Sequence, residues 1–164
     1  MSGSIRVGLG YDVHPFADPE TTARPLVLGG VTVDGPGFGL AGHSDADAVC
    51  HAVADALLGP AGLPDLGALF PASDDAYRDA SSIELLRDVV QRTRTAGWRV
   101  VNVDVVINAE RPRLAPHLAA MAANLTAVLD GAFVSVTPKR GEGIGAVGRA
   151  EGIACWAVAL LETD

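Results

Sequence analysis

The sequence predicts a single α/β (α+β) domain over residues 1–164, with a mixed sheet covered by helices on one face. Three observations carry this. Stretches of alternating hydrophobicity interchange with stretches whose apolar residues recur at helical spacing. A short hairpin comes early, and no repeat, low-complexity tract or linker divides the chain. In order, Ile5-Arg6-Val7-Gly8-Leu9-Gly10-Tyr11 alternates as a strand and runs into Asp12-Val13-His14. Residues 15–25 read as a polar loop, and Leu26–Leu28 and Val31–Val33 as short strands around a Gly29-Gly30 turn. The glycine-rich residues 35–40 lead to His43. A helix is expected from near Ser44, with Ser44 as its N-cap, Asp47 as the acidic member of a capping box, and Gly59-Pro60 as its stop. A short helix and loop follow through Asp65-Leu66-Gly67 and Phe70-Pro71.

Ser81 or Ser82 caps the next helix, whose apolar face is Ile83, Leu86, Val89 and Val90 and which Gly97 ends. Residues 98–107 alternate as a strand, 116–129 read as helical, 132–136 as a strand, and 138–148 as a glycine-rich loop. The final run, Ile153 to Leu161, is apolar on both faces of a strand. One face meets the helices; the other needs a second partner, and self-association supplies it.

Composition narrows the function. Hydrophobic residues make up 49% of the chain and charged residues 20%, which fits a globular domain. A net charge of −8 without a basic cluster argues against nucleic acid as a partner. An acidic protein acting on an anion needs local compensation from metal ions or helix N-termini. Cys50 and Cys155 sit in apolar runs and read as buried thiols of a reducing compartment. The first residues show no basic region followed by an apolar one, and no apolar run reaches membrane-spanning length, so a cytoplasmic protein with no membrane partner is expected.

The chemistry-bearing residues gather at two places. Asp12 and His14 lie two apart on a strand, so a carboxylate and an imidazole share one face, roughly 6–7 Å apart at their Cα atoms. His51, in the expected helix, offers a third ligand; three protein ligands leave one position of a tetrahedral zinc open. Asp47 and Asp55 lie one helical turn to either side of His51, either as carboxylate partners for its second ring nitrogen or as solvated helix charges. His43 precedes the expected helix start, where free amides and the helix dipole favour a phosphate.

Several ordered motifs resemble one family. They are residues 8–16, Gly-Leu-Gly-Tyr-Asp-Val-His-Pro-Phe; His43-Ser44-Asp45-Ala46-Asp47 with His51-Ala52 and Asp55-Ala56-Leu57-Leu58-Gly59; Asp65-Leu66-Gly67 with Phe70-Pro71; Asn102-Val103-Asp104; and Arg149-Ala150-Glu151-Gly152-Ile153-Ala154. Over nearly its whole length the chain resembles the 2-C-methyl-D-erythritol 2,4-cyclodiphosphate synthases of the non-mevalonate isoprenoid pathway. That resemblance implies a homotrimer whose sheets pack around the three-fold axis. It implies a lyase that cyclises 4-diphosphocytidyl-2-C-methyl-D-erythritol 2-phosphate and releases CMP.

Position by position, the resemblance implies zinc on Asp12, His14 and His51, and magnesium or manganese on Glu142. His43 and Arg140 would be catalytic, and Ser44 would bind phosphate. Asp65, Leu66, Gly67, Phe70 and Asp74 would form the methylerythritol side. Ala109, Arg113, Leu114, Ala115 and Lys139 of a neighbouring subunit would form the nucleotide side. Arg149 would contact substrate and, with Glu151, line a central cavity able to hold an isoprenoid diphosphate.

The chain departs from the family at Lys139-Arg140-Gly141, where threonines are usual, and Arg140 falls at the position of a threonine that assists the transition state. Ala146 and Ala72 depart as well. Two alternatives follow: a trimeric zinc and isoprenoid-phosphate binding protein with weak catalysis, and a zinc hydrolase using Asp47 or Asp55 as base.

Overall fold

The computed structural model describes residues 3–20, 23–34 and 37–163. Gly35 and Pro36 of the glycine-rich approach, Thr21 and Thr22 of the polar loop, and the extreme terminal residues lie outside the described residues. Strands β1 (Ile5–Pro15), β4 (Arg99–Asn108), β5 (Phe133–Lys139) and β6 (Gly152–Glu162) form a mixed sheet in the order β1-β6-β4-β5. Pairing is antiparallel for β1 with β6 and for β6 with β4, and parallel for β4 with β5. Consequently β1, β4 and β5 point the same way, and their C-terminal ends share one end of the sheet. β2 (Leu26–Leu28) and β3 (Val31–Val33) make the separate hairpin.

Helices α1 (Ala48–Ala61), α3 (Ser82–Thr95) and α4 (Leu118–Val128) build the core, with short turns of helix at α2 (Leu66–Leu69) and α5 (Gly145–Gly148). The fold class and nearly every element match the sequence reading. The glycine-rich loop differs by containing α5, and α1 differs at both ends. Its N-cap is Asp47, not Ser44: the Asp47 carboxylate accepts from the Val49 and Cys50 amides. It runs through Gly59-Pro60 and stops at Gly62, which takes the left-handed conformation at φ 74°. Pro60 is accommodated in the last turn, and Arg6 donates to its carbonyl.

The alternation of β1 is inverted relative to the usual apolar-inward pattern. Ile5, Val7, Leu9, Tyr11 and Val13 are exposed, while Gly8 and Gly10 face the helices and are buried. The glycines are needed there. A Cβ at Gly10 would stand 1.8 Å from the Ala52 carbonyl oxygen, and one at Gly8 1.9 Å from that of Ala56. Helix α1 therefore lies directly on β1, which brings His51 down onto Asp12 and His14. On β6, Trp156 and Val158 are exposed on the same outer face, as the doubly apolar last strand predicted.

Candidate metal centre and phosphate-binding cavities

Asp12 and His14 project from the end of β1, and His51 from the first turn of α1. Their ligand atoms lie within 4.8 Å of one another. Asp12 Oδ2 is 2.9 Å from His14 Nε2 and 3.1 Å from His51 Nδ1, and the two imidazole nitrogens are 3.3 Å apart. His14 Nδ1 lies 2.7 Å from the Ala41 carbonyl, which can only accept, so Nδ1 carries a proton and Nε2 is the nitrogen turned inward, bare when the ring is neutral. His51 Nε2 lies 2.9 Å from Ser82 Oγ, leaving Nδ1 to face Asp12. Two imidazole nitrogens and a carboxylate oxygen thus converge on one point, where either a ring proton or a metal cation can be shared among them.

The titration behaviour has the same cause. Burial favours the neutral form of the Asp12 carboxyl, but hydrogen bonds and charge from His14 and His51 outweigh it and hold Asp12 well below the usual carboxylate range. Burial likewise works against charge on His14, but Asp12 raises it overall. Two borderline imidazole nitrogens and one hard carboxylate oxygen, with an open fourth direction, suit a divalent transition ion.

A cavity of about 290 Å³ opens above this triad, and His43, Ser44, Leu66, Gly67 and Phe70 all border it. Asp55 borders it too, with Ala72, Tyr77 and Leu85. The Asp55 carboxylate accepts from the Leu66 amide at 2.9 Å, which fixes the start of α2. Burial raises its carboxyl above the ordinary value. The Asp65 side chain turns back to the Ala68 amide as the N-cap of α2, and Asp74 caps the following turn through the Ala76 amide while its carbonyl lies 3.0 Å from His43 Nε2. Ser44 is 8% exposed, with its hydroxyl among Ser82, His51 and the Ala46 amide.

Two expectations are corrected. The Val49 and Cys50 amides at the start of α1 are taken by Asp47, so these two do not offer an anion site beside His43. Asp47 itself is neither a partner of His51 nor a base facing substrate. It is fully buried and accepts from Gly29 at 2.8 Å and Gly30 at 2.7 Å as well, joining the hairpin turn to α1. Burial pushes its carboxyl upward against these donors.

A second cavity, about 540 Å³, lies at the ends of β4 and β5. Ala109, Arg113, Leu114 and Ala115 border it from one side, and Lys139, Arg140 and Glu142 from the other. Arg140, its side chain 66% exposed, pairs with Glu110, whose side chain is 19% exposed. That pairing, with the nearby Gly141 and Glu142 amides, lowers the Glu110 carboxyl. Arg149 and Glu151 border neither cavity; they pair with each other at 2.6 Å just ahead of β6. Arg24 went unnoticed in the sequence. It donates to the carbonyls of Gly42 at 2.9 Å and Ser44 at 2.7 Å and to Asp79 at 2.9 Å, bracing the segment that carries His43. Among the described residues no helix is long and apolar enough to cross a membrane.

Fold and site together define a single-domain α/β protein with a candidate carboxylate–imidazole metal site at the carboxyl end of its sheet. Residues 5–162 match the YgbB family model. The chain is 51% identical over 163 residues to the 2-C-methyl-D-erythritol 2,4-cyclodiphosphate synthase of Bordetella petrii, covering 98% of each chain. It is 54% identical over 162 residues to that of Rubrobacter xylanophilus, covering 98% of this chain and 96% of that one. Among solved structures, a Plasmodium falciparum IspF in complex with CDP superposes with a TM-score of 0.82 at 30% identity, covering 100% of this chain and 99% of that one. The chain belongs to the YgbB family, that of the 2-C-methyl-D-erythritol 2,4-cyclodiphosphate synthases.

Proposed function

We propose that the protein cyclises 4-diphosphocytidyl-2-C-methyl-D-erythritol 2-phosphate to 2-C-methyl-D-erythritol 2,4-cyclodiphosphate and CMP, a phosphorus–oxygen lyase reaction of the non-mevalonate isoprenoid pathway. The observation that carries this reading is the Asp12–His14–His51 triad at the floor of the His43–Phe70 cavity, in a chain of this family. A 2-phosphate oxygen forms a bond to the β-phosphorus. The bond from that phosphorus to the bridging oxygen breaks, and its electron pair leaves with CMP. The nucleophile is already an anion, so positioning and charge neutralisation carry the rate.

Asp12, His14 and His51 would hold zinc, or a similar divalent transition ion, and Glu142 magnesium or manganese; such ions supply Lewis-acid charge to phosphate oxygens. His43 and Ser44 border the cavity where the substrate phosphates would lie. The backbone at Leu66-Gly67 and the Phe70 ring, with Asp65 and Asp74 as the caps that shape this wall, fit the methylerythritol portion. Arg113, Lys139 and Arg140 bring three cations to the nucleotide diphosphate, with Ala109, Leu114 and Ala115 forming the wall for cytidine.

The two cavities sit at one end of the sheet but at opposite edges, β1 and β5, with three interstrand spacings, roughly 14 Å, between them. A single diphosphate joins them most simply when the β5 edge of one copy meets the β1 edge of another. The exposed apolar residues of β1 and β6 favour the same assembly. A homotrimer with its sheets around the three-fold axis satisfies both, and Arg149 and Glu151 would then border the axis, where an isoprenoid diphosphate could be held. The lack of a membrane-spanning helix among the described residues agrees with a cytoplasmic setting.

Incubation with this substrate, zinc and magnesium, followed by phosphorus NMR, should give CMP and a cyclic diphosphate. Absence of CMP would refute the proposal, and a ring-opened monophosphate would indicate a hydrolase. One observation favours a zinc and isoprenoid-phosphate binding protein with weak catalysis as the second reading: Arg140 is engaged by Glu110. Tight CDP binding without turnover would support it.

A further inference from the structure

Ser82 and Asp45 take no part in the reading above, yet they end a closed chain of hydrogen bonds at His51. Ser82, 1% exposed, opens α3. Its hydroxyl donates to Asp45 Oδ1, and its amide donates to Asp45 Oδ2 at 3.1 Å. The Asp47 amide also donates to Asp45 Oδ1, at 3.2 Å. Among the described residues, each hydrogen-bond partner of the Asp45 carboxylate is therefore a donor, and a carboxylate offers only lone pairs. The one Ser82 hydroxyl proton is committed to Asp45, so Ser82 Oγ can only accept from its other neighbours, His51 Nε2 at 2.9 Å and Ser44 Oγ at 3.2 Å. Ser44 Oγ accepts from the Ala46 amide and lies 3.2 Å from Ser82 Oγ and 3.3 Å from His51 Nε2, so its one proton has two acceptors in reach. A bare His51 Nε2 would set its lone pair against that of Ser82 Oγ at 2.9 Å, the shorter of its two hydroxyl contacts. That nitrogen therefore carries its own proton, and the neutral ring bares Nδ1 toward Asp12 and His14.

We infer that Asp45 and Ser82 are positioning residues that set the His51 tautomer and ring angle for metal capture, a task carried at His14 by the Ala41 carbonyl alone. The inference rests on the reading of Asp12, His14 and His51 as metal ligands, but the tautomer it specifies belongs to the metal-free chain and is measurable there. A histidine ligand whose outer hydrogen bond is removed typically loses about 10–100-fold in metal affinity.

The experiment combines imidazole nitrogen NMR of the metal-free protein, at a pH where both rings are neutral, with zinc affinity by chelator competition. Wild-type His51 should be protonated on Nε2. In Asp45→Asn the new amide can donate to Ser82 and free the serine proton for His51, so the ring should shift toward the Nδ1-protonated form and zinc should bind more weakly. Ser82→Ala should lower zinc affinity about 10–100-fold, while Ser82→Thr, which keeps the hydroxyl, should stay near wild type. A wild-type ring protonated on Nδ1, or a Ser82→Ala chain holding zinc within about twofold of wild type, overturns the relay. If the wild type takes up no zinc, or His14→Ala binds it as tightly as the wild type, the metal reading fails and the relay's role in metal capture fails with it. If those two controls behave and Ser82→Ala is unaffected, the relay alone is wrong.

Discussion

Replacing Gly10 by alanine tests the link between packing and chemistry most directly. The added Cβ would stand 1.8 Å from the Ala52 carbonyl oxygen and 2.7 Å from the Ala56 amide nitrogen. Both are backbone atoms of α1, so no side chain can swing aside. An ordinary carbon–oxygen contact needs about 3.4 Å, so strand and helix must part by about 1.6 Å, the difference from the present 1.8 Å. The Ala52 carbonyl is one residue from His51, whose Nδ1 now lies 3.1 Å from Asp12 Oδ2. A displacement of that size moves His51 beyond the reach of an ion held by Asp12 and His14, because metal–ligand distances tolerate only about 0.2 Å. Overpacking a close contact costs about 1–3 kcal/mol in favourable cases, and a backbone obstacle places Gly10→Ala at the upper end. Urea denaturation of the metal-free chain reads the stability, and chelator competition reads zinc binding, which should fall at least about 100-fold. Gly59→Ala is the control: a Cβ at Gly59 meets nothing within 4 Å, and alanine in a helix should raise stability by about 0.5–1 kcal/mol. Gly10→Ala with wild-type zinc affinity and an unchanged urea midpoint would refute the claim that this glycine seats His51.

Asp47→Ala should cost at least about 3 kcal/mol, since it strands four backbone amides now bound at 2.7–3.1 Å, three of them buried, and each buried orphan costs about 1–3 kcal/mol; a urea-derived loss below about 1.5 kcal/mol would contradict this. The metal-free chain should draw stability from the His14–Asp12 pair that depends on pH. The His14 pKa is raised above 6.5, so its share is full below 6.5 and lost as pH rises through the raised value. The Asp12 pKa is lowered from 3.8, so its share is present above 3.8 and lost as pH falls toward the depressed value. Metal binding runs the opposite way, because it must displace the His14 proton: zinc affinity should weaken as pH falls from about 8.5 to about 5.5. Both trends should flatten in His14→Ala, as urea titration and chelator competition at several pH values will show. Glu110→Gln should loosen Arg140 and weaken CDP binding by roughly threefold to tenfold, read by calorimetry, with Arg140→Thr weakening it more; equal affinity in all three proteins would show that the pair does not contact the diphosphate.

Most of the fold was legible because strand and helix periods differ and because several elements, such as α1 and α3, stop near a glycine. Asp12 and His14 could be placed on one face because a strand's period of two requires it, and that placement holds. The start of α1 was misplaced because Ser44 and Asp47 are both good caps locally. The choice falls to Asp47 through the Gly29 and Gly30 amides, contacts eighteen and seventeen residues away that no local pattern reveals. The inversion of β1 had a local sign, two glycines on the face opposite five apolar residues, but hydrophobicity alone points such a strand the wrong way round. Ser82, Asp45 and Arg24 were missed for one reason: each acts through a partner far along the chain, and serine, aspartate and arginine are common at helix starts and in loops.

The departures at Lys139-Arg140-Gly141 become one structural unit in the folded chain. A Cβ on Gly141 would stand 2.5 Å from the backbone of Gly148, and one on Gly148 the same 2.5 Å from the backbone of Gly143. The turn after β5 is wound back on α5, with Ile144 donating to the Gly141 carbonyl at 2.9 Å and Glu142 held at a positive φ of 52°. A threonine at 141 does not fit this winding, so a threonine-bearing sequence has to follow a more open path. Arg140 meanwhile finds its anchor outside the turn: Glu110 lies just past β4, and the Ala109 amide donates to the Lys139 carbonyl at 2.9 Å, tying the two strand ends together. The arginine and the glycine are thus mutually consistent: the glycine lets the turn close, and the closed turn leaves the guanidinium beside Glu110 at the edge of the nucleotide cavity. Restoring a threonine at 140 alone removes the cation and leaves the winding intact, whereas restoring one at 141 unwinds the turn that carries Glu142. Any test of whether Arg140 stands in for the family's threonine has to change residue 140 and leave Gly141 in place.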